Sequence, residues 1–253
     1  PDNDGTTPVY MAAQNGHEAS IRALAELGAD VNTPDNDETT PPYIAAQNGH
    51  VASIRALAEM GADLNISDNT GFTPVRVAAQ EGHEESIRVL AELGANVNTP
   101  DNDGTTPVYM AAQNGHEESI RALAEVGANV NTPDNDGTTP VHVAAQNGYK
   151  ASIRALAELG ADVNTCNNDG FTPAFIAAYN GHVASIRALA ELGADLNIND
   201  NTGSTPALVA AQEGHEASIR ALAELGADIN TPCKYGSTPA YVAAQNGHLG
   251  AIQ

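Results

Sequence analysis

Apolar and polar positions alternate along this chain in short segments that predict helices. In the first segment, Thr7 and Pro8 precede an alanine-rich apolar run, and Gly16 follows it. A threonine hydroxyl caps a helix start, proline is tolerated at the first helical position, and glycine accepts the left-handed conformation that ends a helix. The pattern therefore predicts a short helix over residues 9–14.

The next segment has its apolar residues three to four positions apart, which is the period of an amphipathic helix. It predicts a helix from about residue 18 to residue 27 that ends at Gly28. Ile21, Leu24 and Ala25 share one stripe of this helix, and we expect that stripe to be buried.

The opposite face of this second helix is charged. Arg22 lies one turn from both Glu18 and Glu26, a spacing that predicts ion pairs within the helix. Residues 30–37 then cross to the next segment and are rich in Asn, Asp and Pro, which are typical of turns. Two helices and a polar crossing thus make up one predicted unit.

The same unit returns every 33 residues along the whole chain. Seven full repeats and 22 residues of an eighth account for all 253 positions. Repetition at a fixed period of this size indicates a solenoid, in which each repeat buries its apolar face against its neighbours. We therefore predict an all-α repeat solenoid that forms a single domain over residues 1–253. The predicted repeats begin near residues 1, 34, 67, 100, 133, 166, 199 and 232.

A longer period lies above the 33-residue one. Residues 50–66 match residues 182–198 at all but one position, which favours duplication of a block of four repeats. Neither end carries an obvious polar capping repeat, and uncapped ends would expose apolar faces. We therefore expect the chain to be a segment of a longer array.

A set of small and polar residues recurs in each full repeat with few exceptions. In the first repeat the set comprises Gly5, Thr7, Pro8, Ala12, Ala13, Gly16, His17, Leu24 and residues 28–32. In these residues the repeat resembles the ankyrin repeat, and the resemblance covers the whole chain. It implies a β-turn or hairpin finger followed by two antiparallel helices. It also implies protein binding along the fingers and the inner face of the first helices.

One repeat departs from the others at its turn. Glu38 stands where the other repeats have glycine. A positive φ would be costly for a residue with a side chain, so we expect the second finger to be distorted.

The charge of the chain narrows the range of partners. Thirty-two acidic residues against ten basic ones give a net charge of −22. Such a surface repels phosphate groups, so we expect neither nucleic acid nor an anionic membrane as a partner, and no apolar run predicts membrane insertion. Cys166 and Cys233 are two repeats apart and too distant for a disulfide, which favours the cytoplasm or another reducing compartment.

Two recurring polar patterns are candidates for metal binding, and neither has the required spacing. The Asp-Asn-Asp runs, such as residues 35–37, lack the glycine and glutamate positions of a calcium loop, so we assign them to turns. Successive histidines after Gly16 and its counterparts should lie about 8–10 Å apart, so we assign them to the start of the second helix. Because no nucleophile–base pair or phosphate loop is recognisable, the sequence predicts no enzyme, no metal and no cofactor.

Positions that vary between repeats are the candidates for protein binding. In the sixth repeat Phe171, Phe175 and Tyr179 follow at four-residue spacing, and the position of Phe175 varies among the repeats. Aromatic residues flanked by polar ones are typical of interface cores, although Phe171 and Phe175 would also fill space between repeats. The candidate residues are Tyr10, Tyr43, Arg76, Tyr109, His142, Phe171, Phe175, Tyr179, Leu208 and Tyr241.

These features predict a non-enzymatic, acidic scaffold or tether that binds other proteins, with basic partners attracted by its charge. The uniformity of the repeats equally favours a structural spacer within a large assembly. Two other classes stay open. One is a regulatory or targeting segment of a larger protein with an enzymatic domain outside this chain, and the other is an acidic protein that buffers cations.

Overall fold

Fifteen helices and no strand form in residues 2–248 and 250, the part of the chain that the computed structural model describes. Each repeat supplies a first helix of seven or eight residues, and the first seven repeats also supply a second helix of nine. First helices begin 33 residues apart, which confirms the predicted period and the all-α repeat architecture.

The chain divides into two compact bodies. The N-terminal body ends at Asn129, and the C-terminal body begins at Val130. The single array over residues 1–253 stays a prediction. The N-terminal body contains α1 (Pro8–Gln14), α2 (Glu18–Glu26), α3 (Pro41–Gln47), α4 (Val51–Glu59), α5 (Pro74–Gln80), α6 (Glu84–Glu92), α7 (Pro107–Gln113) and α8 (Glu117–Glu125). The C-terminal body contains α9 (Pro140–Gln146), α10 (Lys150–Glu158), α11 (Pro173–Tyr179), α12 (Val183–Glu191), α13 (Pro206–Gln212), α14 (Glu216–Glu224) and α15 (Pro239–Asn246).

The helices begin and end as the sequence predicts. Thr7 Oγ1 accepts a hydrogen bond from the Tyr10 N–H at 3.1 Å, and Pro8 occupies the first position of α1. Gly16 has a φ of +73°, so it reverses the chain between α1 and α2. The two helices of a repeat contact each other, and each contacts its counterpart in the next repeat of the same body.

The core of each body lies between successive helix pairs. In repeat 2, Ile54, Ala56 and Leu57 of α4 have no exposed surface. Of the stripe expected in α2, Ile21 is buried, but the expectation is wrong for Leu24 and Ala25, which are only half-buried. In α4 the counterpart of Leu24, Leu57, is buried, whereas Ala58 is again half-buried. The physical reason is that α4 contacts helices on both sides, so its buried face begins at Ser53 and leaves Ala58 at the edge.

The outer face carries ion pairs that join repeats. Arg22 pairs with Glu18 at 3.0 Å, as predicted, but its second partner is Glu59 of the next repeat instead of Glu26. Arg55 makes the same inter-repeat pair with Glu92 at 2.9 Å. Because these groups are a third to two-thirds exposed, water and salt screen each pair, and its contribution to stability is small.

The recurring histidines also join consecutive repeats. His50 Nε2 lies 3.0 Å from the Gln14 carbonyl oxygen of the preceding repeat, and a Cβ on Gly16 would lie 2.9 Å from His50 Nδ1. No side-chain hydrogen bond from His50 caps its own helix α4. The structural role predicted for these histidines, at the start of the second helix, is confirmed. Each of these side chains contacts the repeat that precedes its own. The same bond forms at His83, His116, His182 and His215.

Candidate functional site

Each finger is a turn closed by the side chain of one residue. Asp35 Oδ1 accepts hydrogen bonds from the N–H groups of Asp37 and Thr39 at 3.0 and 2.9 Å. The assignment of the Asp-Asn-Asp runs to turns is therefore confirmed. In repeat 6 an asparagine, Asn167, accepts the same pair of bonds, one of them from the Phe171 N–H at 2.9 Å. The turn thus requires a side-chain oxygen that accepts hydrogen bonds at this position, but it does not require a negative charge.

Asparagines connect consecutive fingers within each body. Asn36 Nδ2 donates to the Asn3 carbonyl at 3.2 Å, and the Asn36 N–H donates to the Asp4 carbonyl at 3.0 Å. The turn glycine leaves room for this approach, because a Cβ on Gly5 would lie 2.6 Å from Asn36 Oδ1. In the C-terminal body Asn201 donates to the Asn168 carbonyl in the same way, at 3.0 Å.

The finger with Glu38 keeps its turn. Glu38 has a φ of +62°, near the +80° of Gly5, and its N–H donates to the Asp35 carbonyl at 3.1 Å. The expected distortion of this finger is wrong, because the side-chain bonds of Asp35 hold the turn. The effect of Glu38 appears in the next finger. There the side-chain amide of Asn69 lies 3.1 and 3.3 Å from the two carboxylate oxygens of Glu38, and the amide orientation that satisfies both groups has Nδ2 donating to them.

Seven of the ten candidate binding residues, all of them in first helices, are buried. Their burial removes these side chains from the surface that a folded partner would contact. They are Tyr10, Tyr43, Arg76, Tyr109, His142, Phe175 and Leu208. Burial raises the pKa of Tyr43 to about 12, and the charge of Asp68 in the next finger adds to this shift. Tyr241, at the same position in repeat 8, is 58% exposed.

Arg76 shows how this position accommodates a cation. Its Nε and Nη2 lie 3.0 and 2.9 Å from Asp101 Oδ2, in the next finger. Its Nη1 donates to Gln80 Oε1 at 3.1 Å, and its Cζ lies 3.2 Å from the centroid of the Phe72 ring. A carboxylate, an amide and an aromatic face therefore surround the guanidinium.

Two further residues complete this enclosure. The Thr105 hydroxyl donates to Asp101 Oδ2, and Met110 Sδ lies 3.3 Å from Arg76 Nη2. Burial alone would raise the pKa of Asp101, but hydrogen bonds from Thr105 and the charge of Arg76 outweigh it and lower that pKa. The buried carboxylate is therefore ionised at neutral pH and paired with the buried guanidinium.

His142 places an imidazole at the same position in the C-terminal body. Its Nδ1 accepts a hydrogen bond from the Thr139 N–H at 3.1 Å, and its Nε2 donates to the Phe171 carbonyl at 2.9 Å. Burial lowers the pKa of His142. The neutral ring, protonated on Nε2, is therefore the form that this site holds.

An open groove of about 660 Å³ lies in the C-terminal body, between the fingers and first helices of repeats 5 to 7. It brings together the three aromatic candidates of the sixth repeat. The rings of Phe171 and Phe175 stack with centroids 4.6 Å apart, and Phe175 is buried beneath the surface. Tyr179 lines the groove and is 48% exposed. A volume of this size is typical of ligand pockets.

The groove is acidic. Its lining includes the carboxylates of Asp136, Asp169 and Asp200 and, among the described residues that line it, no basic side chain. The ten candidate residues do not include these carboxylates, although the resemblance to the ankyrin repeat implies binding along the fingers that carry them. The signal that would have found them is the alignment of repeat 6 with repeat 3, which share an aromatic residue at the same place, Phe171 and Phe72.

Metal-binding clusters and membrane-spanning helices are two further features that could carry a function. In residues 2–248 and 250, no group of three His, Cys, Asp or Glu side chains is placed to hold a metal ion. None of the helices in the same ranges is both long and apolar enough to cross a membrane.

Comparison with known proteins identifies the repeat. A search of curated proteins finds no match to the chain. A family model described as three copies of the ankyrin repeat matches residues 33–101, 62–134, 97–167, 130–200, 159–233 and 192–253, and a single-repeat model matches residues 4–36. Ankyrin repeats are generally protein–protein interaction modules and are typically not enzymes. Because these matches cover the chain from residue 4 to its last residue, the chain belongs to the ankyrin repeat family.

Proposed function

We propose that this chain is a non-enzymatic acidic scaffold that binds basic segments of partner proteins, with the groove of the C-terminal body as its main contact. The groove offers a partly exposed aromatic ring, Tyr179, beside Phe171 and three carboxylates. Aromatic contacts supply affinity, and carboxylates select for positive charge.

The observation that supports this proposal best is that the arginines of the chain are used internally. Each of the eight pairs with a carboxylate of the same chain, as do Arg22 and Arg76 above; the full set is Arg22, Arg55, Arg76, Arg88, Arg121, Arg154, Arg187 and Arg220. Lys234 Nζ donates to the Asn201 carbonyl at 2.7 Å. The acidic residues in excess of the basic ones therefore determine the electrostatic potential that an approaching partner encounters, and this potential is negative.

The proposal is tested with immobilised protein and two sets of 15-residue peptides, one of net charge +4 and one of net charge −4, at 50 and 300 mM NaCl. We expect saturable binding of basic peptides that weakens at the higher salt concentration, and no binding of acidic ones. The double substitution Asp136→Asn and Asp169→Asn should weaken binding of the basic peptides. The same change at Asp4 and Asp37, in the N-terminal body, is the matched control. Binding that ignores peptide charge, or equal loss in both double variants, would contradict the proposal.

A further inference from the structure

The groove repeats the surroundings of Arg76 at a distance of three repeats along the chain. Adding 99 to the number of each residue around the Arg76 guanidinium gives a residue that lines the groove. The first set is Phe72, Gln80, Asp101, Thr105 and Met110, and the second is Phe171, Tyr179, Asp200, Ser204 and Val209. The same scaffold positions therefore enclose a guanidinium in one body and form an open groove in the other.

The arginine itself is missing from the second set. Phe175 takes the place of Arg76, and its ring stacks on Phe171 with an interplanar angle of 3°. A phenyl ring cannot neutralise the carboxylate of the next finger. In the N-terminal body that carboxylate, Asp101, binds the guanidinium through Oδ2.

The corresponding oxygen of Asp200 is unused within the described part of the chain. Asp200 Oδ1 accepts bonds from the N–H groups of Thr202 and Ser204 at 2.8 Å each, as the turn requires. Its Oδ2 has no hydrogen-bond partner among the described residues. The Ser204 hydroxyl lies 2.9 Å from the Thr202 hydroxyl, whereas its counterpart Thr105 donates to Asp101 Oδ2. An acceptor that is satisfied in one body is thus left facing the groove in the other.

We propose that this groove binds an arginine side chain of a partner protein, with the guanidinium against the exposed ring of Tyr179 and paired with Asp200. This inference rests on the proposed function and specifies its ligand. A guanidinium suits the site better than an ammonium, because its plane stacks on an aromatic ring while its edge donates to a carboxylate. Asp136 and Asp169 line the same groove and add to its attraction for a cation.

The test uses N-acetyl-arginine amide as the probe and follows the ring signals of Tyr179 by NMR. We expect saturable shifts with this probe and at least tenfold weaker binding of the lysine analogue and of the citrulline analogue, which has the same shape but no charge. Phe175→Arg copies Arg76, so the chain's own guanidinium should fill the site and weaken binding of the probe at least tenfold. The variant should fold, because the N-terminal body already holds the same arrangement.

A second variant and a control keep the test decisive. Asp200→Asn removes the charge but keeps the turn, as Asn167 does in repeat 6, and should also weaken probe binding at least tenfold. Asp2→Asn makes the same change in a finger outside the groove and should leave binding unchanged. Unsaturable shifts in the wild type, or full affinity in Asp200→Asn, would overturn the inference. If basic peptides still bind the wild type in a salt-dependent manner, the proposed function would survive that result.

Discussion

Repeat 3 and repeat 6 share their backbone turns, an aromatic residue just before the first helix and an aspartate in the following finger. In repeat 3 the intervening residue is Arg76, which closes the site by pairing with Asp101. In repeat 6 it is Phe175, and Asp200 faces an open groove. One position therefore decides whether the same surroundings stabilise the fold or remain available to a partner.

The two sites differ in energy as well as in access. A carboxylate and a guanidinium that are both buried stabilise the fold only as a pair, because either one alone would be an uncompensated buried charge. A half-buried carboxylate such as Asp200 keeps its hydration and needs no internal partner. Equivalent substitutions should therefore have unequal effects in the two bodies.

The largest expected difference follows from replacing each aspartate by asparagine, which keeps the turn. Asp101→Asn should lower the free energy of unfolding by about 3–5 kcal/mol, because Arg76 loses its buried counter-charge. Asp200→Asn should change the free energy of unfolding by about 0.5 kcal/mol or less. Urea denaturation of the two variants measures both values, and hydrogen exchange in α5 and α7 locates the loss.

A double-mutant cycle separates the ion pair from other effects of the substitution. In the background of Arg76→Phe, which imitates repeat 6, Asp101→Asn should cost less than about 1 kcal/mol. An equal cost in both backgrounds would mean that Asp101 acts through its turn and not through Arg76.

The imidazole at this position should make the C-terminal body sensitive to acid. Because burial lowers the folded-state pKa of His142, its contribution is complete above the unfolded-state pKa of about 6.5 and is lost as the pH falls through the folded-state value. Protonation would place a hydrogen on Nδ1, so the buried Thr139 N–H would lose its acceptor. We expect this loss to lower the free energy of unfolding by about 1–3 kcal/mol. The charges of Asp134 and Asp162 oppose this loss without removing it.

The measurement compares the free energy of unfolding at pH 7.5 and pH 5.0 in the wild type and in His142→Phe, which places the residue of repeat 6 in repeat 5. The wild type should lose more stability than the variant over this interval. Equal losses would assign the acid sensitivity to other groups.

The sequence predicts most of the fold because each repeat contains the residues that begin and end its own helices. Thr7 and Pro8 begin α1, and Gly16 separates it from α2, as predicted. What the sequence does not reveal is which repeat a side chain contacts. Arg22 reaches Glu59 in the next repeat, and His50 reaches back to the repeat before, since neighbours 33 or more positions away are as close as those one turn away.

The same limit explains the candidate site. Tyr10 and its counterparts vary as interface residues do, but Tyr43, Arg76 and His142 each interact with the next finger of their own body. The sixth repeat combines a variable aromatic at the surface, Tyr179, with the carboxylate of Asp200 in the same groove. Recognising that combination requires knowing that Asp101 and Arg76 are partners, which a single sequence does not show.

A smaller effect should come from restoring the turn glycine that the second finger lacks. Glu38→Gly should raise the free energy of unfolding by about 1 kcal/mol, because it relieves a positive φ and lets Asn69 approach as Asn168 does in the C-terminal body. The opposite change, Gly137→Ala, should destabilise the protein, since its Cβ would lie 2.8 Å from Asn168 Oδ1. Thermal denaturation of both variants tests the pair. Gly137→Ala as stable as the wild type would show that the fingers do not need close approach.

The smallest effect concerns a feature that the two bodies share. The hydroxyls of Ser86 and Ser185, 99 residues apart, are buried in the second helices and have no hydrogen-bond partner among the described residues. Replacing either serine by alanine removes an unsatisfied polar group from the core and should raise the free energy of unfolding by up to about 1 kcal/mol. The gain should be similar for Ser86→Ala and Ser185→Ala, because both hydroxyls are buried without a described partner at the same position of α6 and α12. Unequal gains in the free energy of unfolding, measured by urea denaturation, would mean that the bodies differ in their cores as well as at the position of Arg76 and Phe175. A lower free energy of unfolding in both variants would mean that these hydroxyls have hydrogen-bond partners in solution.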